Sequence, residues 1–304
     1  MPYSEITCDN ADEFWNLLDP RNPLGLDFER EIRKKLIYRG QSDSVDCLVP
    51  SALRNYTLYK KNRYSNVTAR EQINKEIKDL VGYIHHPNFV EFTNQGLQNL
   101  EISQIFNKKY FHNRYNENLS LWPEEEYLKY ICKAQHNNIN TCVLDWTNSA
   151  YIAAYFATYK CIWDDLEKEK FFTVWVYLPN EKSKVKVISD SFSDKNFINQ
   201  KACFTLLKQK YKNENEFFII ETIDDISDEN SLWKLNLKYD QSPLIMDYCN
   251  SIEINYSSVY KGRGEMVISE YIKEERQLEK LIKDTNNISS FDIFADPKGE
   301  FKWL

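Results

Sequence analysis

The stretch that most constrains what this chain can fold into runs from Thr141 to Tyr159. TCVLDWTNSAYIAAYFATY opens with a short β-prone run, Thr141 to Leu144, and passes through the polar turn Asp145-Trp146-Thr147-Asn148-Ser149. It continues with Ile152, Tyr155, Phe156 and Tyr159 at i, i+3, i+4 and i+7. That spacing stacks four large side chains on one helical stripe, which must be buried against another layer. The segment around Tyr151 to Tyr159 is the longest strongly apolar stretch, and it is too short and too aromatic to span a bilayer. A strand, a turn and a buried helix in immediate succession predict a layered domain.

The flanking sequence supplies further elements. Phe14, Leu17 and Leu18 follow Asp9 and Asn10, either of which can cap a short helix over Asn10–Leu18. Lys34 to Gly40 reads as a strand that delivers Arg39 at its end, and Val49-Pro50-Ser51 as a turn with Arg54 just beyond. Thr68 to Tyr83 has helical period, with Thr68 and Glu71 forming a capping box. Leu121-Trp122-Pro123-Glu124-Glu125-Glu126 opens another helix, with proline in its first turn and acids suited to its dipole. Phe172–Leu178, Lys184–Ile188, Cys203–Leu207 and Phe217–Ile220 read as strands. Asp224–Asn230 is a polar loop, and the stretch from there to Gly264 has no clear period. Residues 274–283 form a charged amphipathic helix. The sum is an α+β fold in one domain over residues 1–304, with a helical insertion near 65–130 and a second insertion near 224–264.

Composition narrows the function classes. An apolar fraction of 42% with 14% aromatics excludes disorder, and 7 glycines and 9 prolines argue against loop-rich all-β or fibrous classes. With 39 basic and 46 acidic residues the formal charge is 39 − 46 = −7. That balance does not favour non-specific duplex binding, yet it leaves room for a small basic site holding one pyrophosphate or nucleotide. The seven cysteines are scattered without a C-x-x-C pair, and none of the His or Cys spacings resembles a zinc site, so no metal is expected. The first residues show no basic region followed by an apolar run. Reduced thiols in a cytoplasm are the simplest reading, with no membrane partner.

Five segments, in order, resemble the FRG domain. They are Tyr38-Arg39-Gly40-Gln41 with Leu48-Val49-Pro50-Ser51 and Arg54; Ala134-Gln135-His136 before Thr141; and Leu144-Asp145-Trp146-Thr147 through Ala153, Ala154, Phe156 and Ala157. Then come Asn199-Gln200-Lys201-Ala202-Cys203-Phe204, and finally Asn287-Ile288 with Ile293-Phe294-Ala295-Asp296 and Gly299. The chain departs from the family's pattern at Cys142 (usually Arg), Asn140 (usually Pro), Ala202 (usually Gly) and Ala295 (usually Pro). The layout is more distantly similar to ADP-ribosyltransferases with an Arg, Ser-Thr-Ser, Glu signature, and the ordered counterparts would be Arg39, the Thr147/Ser149 turn and Gln200.

The resemblance implies an ADP-ribosyltransferase-like mixed sheet core flanked by helices, with NAD as substrate. It implies catalytic roles for Arg39, Gln200 and Thr147, and a binding site built from Arg39, Gly40, Gln41, Arg54, His136, Asp145, Thr147 and Ser149. The expected activity is transfer of ADP-ribose to a macromolecular acceptor, protein or nucleic acid, by a bacterial toxin or antiphage effector. An antitoxin or a neighbouring-gene product would be its partner.

The chemistry is coherent residue by residue. Arg39 carries a permanent charge on a planar donor fork suited to phosphate or ribose. Gly40 lets the backbone approach a ligand closely. Thr147 and Ser149 at a helix N-terminus offer hydroxyls and N–H groups to an anion or a carboxamide. Gln200 can bond a ribose hydroxyl but brings no charge, so Glu265 or Glu270 would have to supply an acid, or the chemistry is slow or absent. Each residue also has a structural reading. Arg39 can pair with a carboxylate, Asp145 can cap a helix or pair with Arg54, Thr147 and Ser149 can be caps only, and His136 can hold a structural hydrogen bond. The alternatives to transfer are an NAD glycohydrolase and a non-catalytic nucleotide-binding module.

Overall fold

The computed structural model describes residues 3–54, 56–59, 62–86, 114–115, 118–164, 169–180, 183–189, 195–261 and 266–289. The strands are β1 (Ser4–Thr7), β2 (Ile37–Gln41), β3 (Tyr56–Tyr59), β4 (Asn62–Thr68), β5 (Val143–Thr147), β6 (Phe171–Tyr177), β7 (Val185–Ile188), β8 (Ala202–Leu207), β9 (Phe217–Ile219) and β10 (Leu232–Lys238). The helices are α1 (Ala11–Leu17), α2 (Arg30–Arg33), α3 (Ala69–Ile84), α4 (Leu128–His136) and α5 (Ala150–Tyr159), followed by α6 (Lys195–Asn199), α7 (Ile223–Ile226), α8 (Ser242–Ser251), α9 (Tyr256–Val259) and α10 (Met266–Ser289).

A seven-stranded mixed sheet in the order β1-β10-β6-β2-β5-β8-β7 forms the centre, and β3-β4-β9 form a second, smaller sheet. Only β1 runs parallel to its neighbour; the other ladders of the large sheet are antiparallel. The fold is α+β.

Strand alternation divides the large sheet into two faces. Tyr38, Val174, Val176 and Leu235 point to a core closed by α1, α5, α8 and α10. Val143, Phe204 and Leu206 point to a second core closed by α3 and α4. Ile37, Leu144, Trp146, Trp175 and Cys203 point the other way, under Leu48 and α7. Two helical layers therefore sit side by side over the sheet and meet above β2 and β5.

At that seam the sheet is split. β2 holds five residues of β6 in register, from Ile37↔Tyr177 to Gln41↔Thr173, whereas it meets β5 at a single pair, Tyr38↔Thr147. Beyond that pair the two strands part.

The capping box at Thr68 and Glu71 forms as its spacing predicts, with the Thr68 hydroxyl accepting from the Glu71 N–H and the Glu71 carboxylate from the Thr68 N–H. Asn10 is the cap of α1. Other expectations need correction. The helix expected from Leu121 opens later, as a 3-10 turn over Glu125–Tyr127 that runs into the α-helix at Leu128, and Glu124 just before it accepts from Arg114 and Tyr115. Asp145-Trp146-Thr147 is strand, not turn, since β8 pairs with all of it. The aperiodic stretch near 224–264 contains α7 and α8, and it supplies β10, paired on both edges by β1 and β6. Within it, Trp233 to Lys238 alternates apolar and polar residues, a strand signal surrounded by segments without a period; Lys234 and Asn236 on the polar side are buried because both donate to Glu5. In the stretch near 65–130, residues 87–113 and 116–117 lie outside the described residues, as do Ile293-Phe294-Ala295-Asp296 and Gly299.

Gly40 is where α5 rests on the sheet. A Cβ there would stand 2.0 Å from the Ala153 carbonyl oxygen and 2.5 Å from the Ala157 nitrogen, both backbone atoms of α5. The small residues Ala153, Ala154 and Ala157 complete the close approach, all fully buried. Neither side can yield without moving the helix. Gly40→Ala should therefore lower unfolding stability by about 3 kcal/mol or more, seen as a lower urea midpoint; an unchanged midpoint would mean that α5 does not bear on β2.

Candidate functional site

A cleft of about 320 Å³ opens over the split between β2 and β5. Arg39, Arg54, Asp145, Thr147, His136 and Gln200, singled out from sequence, all line it, as does Gly40. By alternation Arg39 leaves β2 on the Ile37 side, opposite to Asp145, so its guanidinium occupies the gap where the ladder is missing. Its Nη1 donates to the Asp145 backbone carbonyl at 2.7 Å and lies 2.9 Å from Asp145 Oδ2. The Arg39 side chain is 9% exposed and the Asp145 side chain 55%. Arg39 Nε has no hydrogen-bond partner.

The Asp145 carboxyl lies below the usual carboxylate range. Desolvation in the cleft pushes it up, and the charge of Arg39, a backbone hydrogen bond and the charge of Arg54 together outweigh that push. The sequence reading of Asp145 as a cap or an Arg54 partner thus gives way to an ion pair with Arg39, while Arg54 acts at longer range. Two guanidiniums against one carboxylate leave the cleft one positive charge in excess.

One hydrogen-bond network joins the short motifs. Gln135 Oε1 accepts from Ser51 Oγ at 3.0 Å and from Thr141 Oγ1 at 2.7 Å, and Gln135 Nε2 donates to Asp145 Oδ1 at 3.4 Å. Ser51 Oγ accepts from the Thr141 N–H in turn. One glutamine ties the Pro50-Ser51 corner, the end of α4 and the start of β5 together, and it holds Asp145 in place for Arg39. Arg54 follows that corner, its Nε donating to the Val49 carbonyl.

The remaining predicted residues divide. Thr147 is buried, and its hydroxyl is committed: it donates to the Gln200 carbonyl at 2.7 Å and accepts from the Ser149 N–H at 3.1 Å. It fastens the end of β5 to the turn before β8 and does not stand as a free cap. His136 ends α4 with its ring stacked on Phe197, centroids 4.2 Å apart. The Gln200 carboxamide donates to the Val259 carbonyl at 3.4 Å.

Gln41 does not line this cleft. Its Oε1 accepts from Trp175 Nε1 at 2.5 Å and its Nε2 donates to the Cys47 carbonyl, which makes it a core residue beneath the 43–49 loop. Ser149 lines a second, more open cavity with Lys201 and Val259. Gly40 borders the cleft, but its lack of a side chain is required by α5.

Sequence reasoning missed Gln135, Asn138, Phe156 and Tyr260 as lining residues. Asn138 carried a local signal. It sits at φ 62° just past α4, and the bonds Asn138 N–H to Gln135 O and Ile139 N–H to Ala134 O close the helix in a Schellman turn. Tyr260 follows α9 in the aperiodic stretch and carried none. Of the two acids considered for the site, Glu270 is engaged by Lys273 on α10 and does not line the cleft, and Glu265 lies outside the described residues. Asp145 is the carboxylate among the described lining residues.

Residues 34–165 match the family model of the FRG domain. The chain carries an FRG domain. No curated protein and no solved structure matches the chain. The FRG span provides β2, the 48–54 corner, α4, β5 and α5, hence the Arg39–Asp145 pair and the Gln135 network. Gln200, Ala202, Phe204 and Tyr260 are brought to the cleft from beyond it. All seven cysteines are free, no helix among the described residues is long and apolar enough to cross a membrane, and no group of three or more potential metal ligands occurs among them.

The ion pair gives the FRG cleft a defined acid response. The Asp145 carboxyl is depressed, so its stabilising contribution is complete above the ordinary carboxylate range and fades as pH falls below about 4. Asp145→Asn should cost about 1–2 kcal/mol near neutral pH, less than a fully buried pair because the carboxylate is half exposed, and should flatten stability against pH on the acid side. Parallel acid limbs for the two proteins in urea midpoints would show that the pair contributes nothing.

Proposed function

We propose that the cleft binds NAD and that the chain is an NAD-dependent ADP-ribosyltransferase acting on a macromolecular acceptor. The observation that carries the reading is the convergence of Arg39, Thr147 and Gln200 on one cleft, from the three neighbouring strands β2, β5 and the lead into β8. These are the ordered counterparts of the transferase signature. A net positive cleft with two guanidiniums suits a pyrophosphate, which Arg39 can hold through its fork and Arg54 at the mouth. Phe156 and Tyr260 offer aromatic faces for a planar ring. At about 320 Å³ the cleft sits at the small end of the range for ligand sites, room for one half of a dinucleotide with the rest reaching past the mouth.

In the transfer, the bond between the ribose anomeric carbon and the nicotinamide nitrogen breaks, and its electron pair leaves with nicotinamide. The acceptor's oxygen or nitrogen then bonds to the anomeric carbon and releases a proton. Positive charge develops at that carbon, as in glycoside cleavage. Asp145, kept ionised by Arg39, is the described group able to oppose it, and Gln200 can hydrogen-bond a ribose hydroxyl.

A specific observation favours a second reading. Gln200 is neutral and tied to Val259, and Asp145 is already paired. A cleft of that kind can bind a nucleotide without breaking it.

Nicotinamide release from NAD, followed with and without cell lysate, separates the readings. Release that requires lysate is expected, and Arg39→Ala should reduce both NAD binding and release by about 100-fold or more while remaining folded by circular dichroism. Arg39→Lys should recover little, because an ammonium lacks the fork. Lysate-independent release would make the protein a glycohydrolase, and NAD binding without release would make it a binding module. Full activity in a folded Arg39→Ala protein would remove the site assignment.

A further inference from the structure

Glu274 lies on α10, 2% exposed, in a place that the cleft residues do not explain. Its Oε2 accepts from the Tyr155 hydroxyl at 2.8 Å and its Oε1 from the Tyr256 backbone N–H at 3.2 Å. Tyr155 is fully buried in α5, and the next residue, Phe156, is a wall of the cleft. Tyr256 is the first residue of α9, whose end presents the Val259 carbonyl to Gln200, and Tyr260 follows as the facing wall. The Phe156 and Tyr260 rings meet edge to face, centroids 6.3 Å apart. Both hydrogen bonds of this one carboxyl therefore end within a few residues of the same aromatic wall, one through α5 and one through α9.

We propose that Glu274 is a positioning residue for the cleft: it clamps α9 to α5 and so sets the Phe156–Tyr260 wall and the Val259 carbonyl that anchors Gln200. The inference deepens the reading of the cleft as a nucleotide site and rests on it for its effect on binding. The tether itself stands on the hydrogen bonds alone.

The clamp is pH-sensitive. The groups facing Glu274 are Tyr155 and Tyr159 from α5, Tyr256 from α9, Cys249 from α8, and Tyr271 and Glu275 on its own helix. Among the described residues, the charge acting on it is that of Glu275. Burial, only partly offset by the Tyr155 and Tyr256 hydrogen bonds, raises the carboxyl from 4.5 to about 7. A raised acid binds its proton more tightly in the closed wall than in an opened one. The clamp is therefore strongest below the ordinary carboxylate range and weakens as pH rises toward about 7, where the loss levels off.

Hydrogen–deuterium exchange of a 252–261 peptide, corrected for intrinsic rates, and NAD titration would be measured together at about pH 5.5 and about pH 8 for the native chain, Glu274→Gln and Glu274→Ala. Expected in the native chain are faster exchange in that peptide and roughly tenfold weaker NAD binding at the higher pH. Glu274→Gln, which imitates the protonated acid, should be protected at both values and lose the pH dependence of binding. Glu274→Ala should exchange fast at both, with a β6 peptide unchanged. Equal protection in all three proteins would overturn the clamp, and a loosened peptide with unaltered NAD affinity would overturn its role in positioning the cleft. Exchange as expected with no NAD binding even by the native chain would leave the clamp standing and remove the nucleotide reading instead. Should Glu274→Ala fail to fold, the near-isosteric Glu274→Gln still decides the matter through its pH response.

Discussion

The structure of the cleft depends on one guanidinium in a gap. β2 and β5 pair only at Tyr38 and Thr147, and the strand edges that part beyond it would expose unpaired backbone groups. Arg39 fills that gap from the far face of the sheet and donates to the Asp145 carbonyl, a backbone acceptor that a continued ladder would have used. The same Nη1 stands beside the Asp145 carboxylate, which partly compensates a cation that is almost wholly removed from water. An opened sheet, a buried arginine and an aspartate on the next strand are thus one interdependent arrangement. A neutral side chain in place of Arg39 would leave both the carbonyl and the split without support.

The rest of the FRG span reads as support for that arrangement. Gln135 fixes Asp145 and the Pro50-Ser51 corner from one carboxamide, so the end of α4 is locked to the strand that carries the ion pair. Gly40 lets α5 settle onto β2 at backbone contact, which brings Phe156 beside the cleft. Thr147 fastens β5 to the Gln200 turn. Short polar side chains dominate because each must reach two or three backbone or amide partners across a few ångströms.

Much of this was legible in the sequence, and the remainder was not for identifiable reasons. Local signals read well: the Thr68/Glu71 box, the Asn10 cap and the apolar stripe of α5 each depend on neighbours a few residues apart. Arg39, Asp145, Thr147 and Gln200 were found because they sit in motifs. Their partners were not, since the Arg39–Asp145 contact spans 106 residues and Thr147–Gln200 spans 53. Asp145-Trp146-Thr147 looked like a turn because polar residues dominate it, yet β8 pairs with it and Trp146 is buried on the opposite face. β10 carries its own signal, the apolar–polar alternation from Trp233 to Lys238, but it is short and lies in a stretch whose other segments have no period. Tyr260 could not be recognised at all, because only the packing of α9 against α5 and α10 turns it toward the cleft.

The pairing of Arg39 also limits how any anionic ligand can bind. A phosphate approaching the guanidinium meets a carboxylate already in place, and both cannot share one donor nitrogen at full strength. The exposure of Asp145 resolves the competition. Its side chain is half in solvent, so it can yield the donor to a phosphate and regain water at small cost, whereas Arg39, at 9% exposure, cannot follow it out. Binding then exchanges one anion for another at a fixed cation, and charge in the buried gap stays balanced throughout. An aspartate on the rim, not a glutamate in the interior, is what makes that exchange possible, and the same exposure leaves its displaced carboxylate at the mouth, beside Arg54.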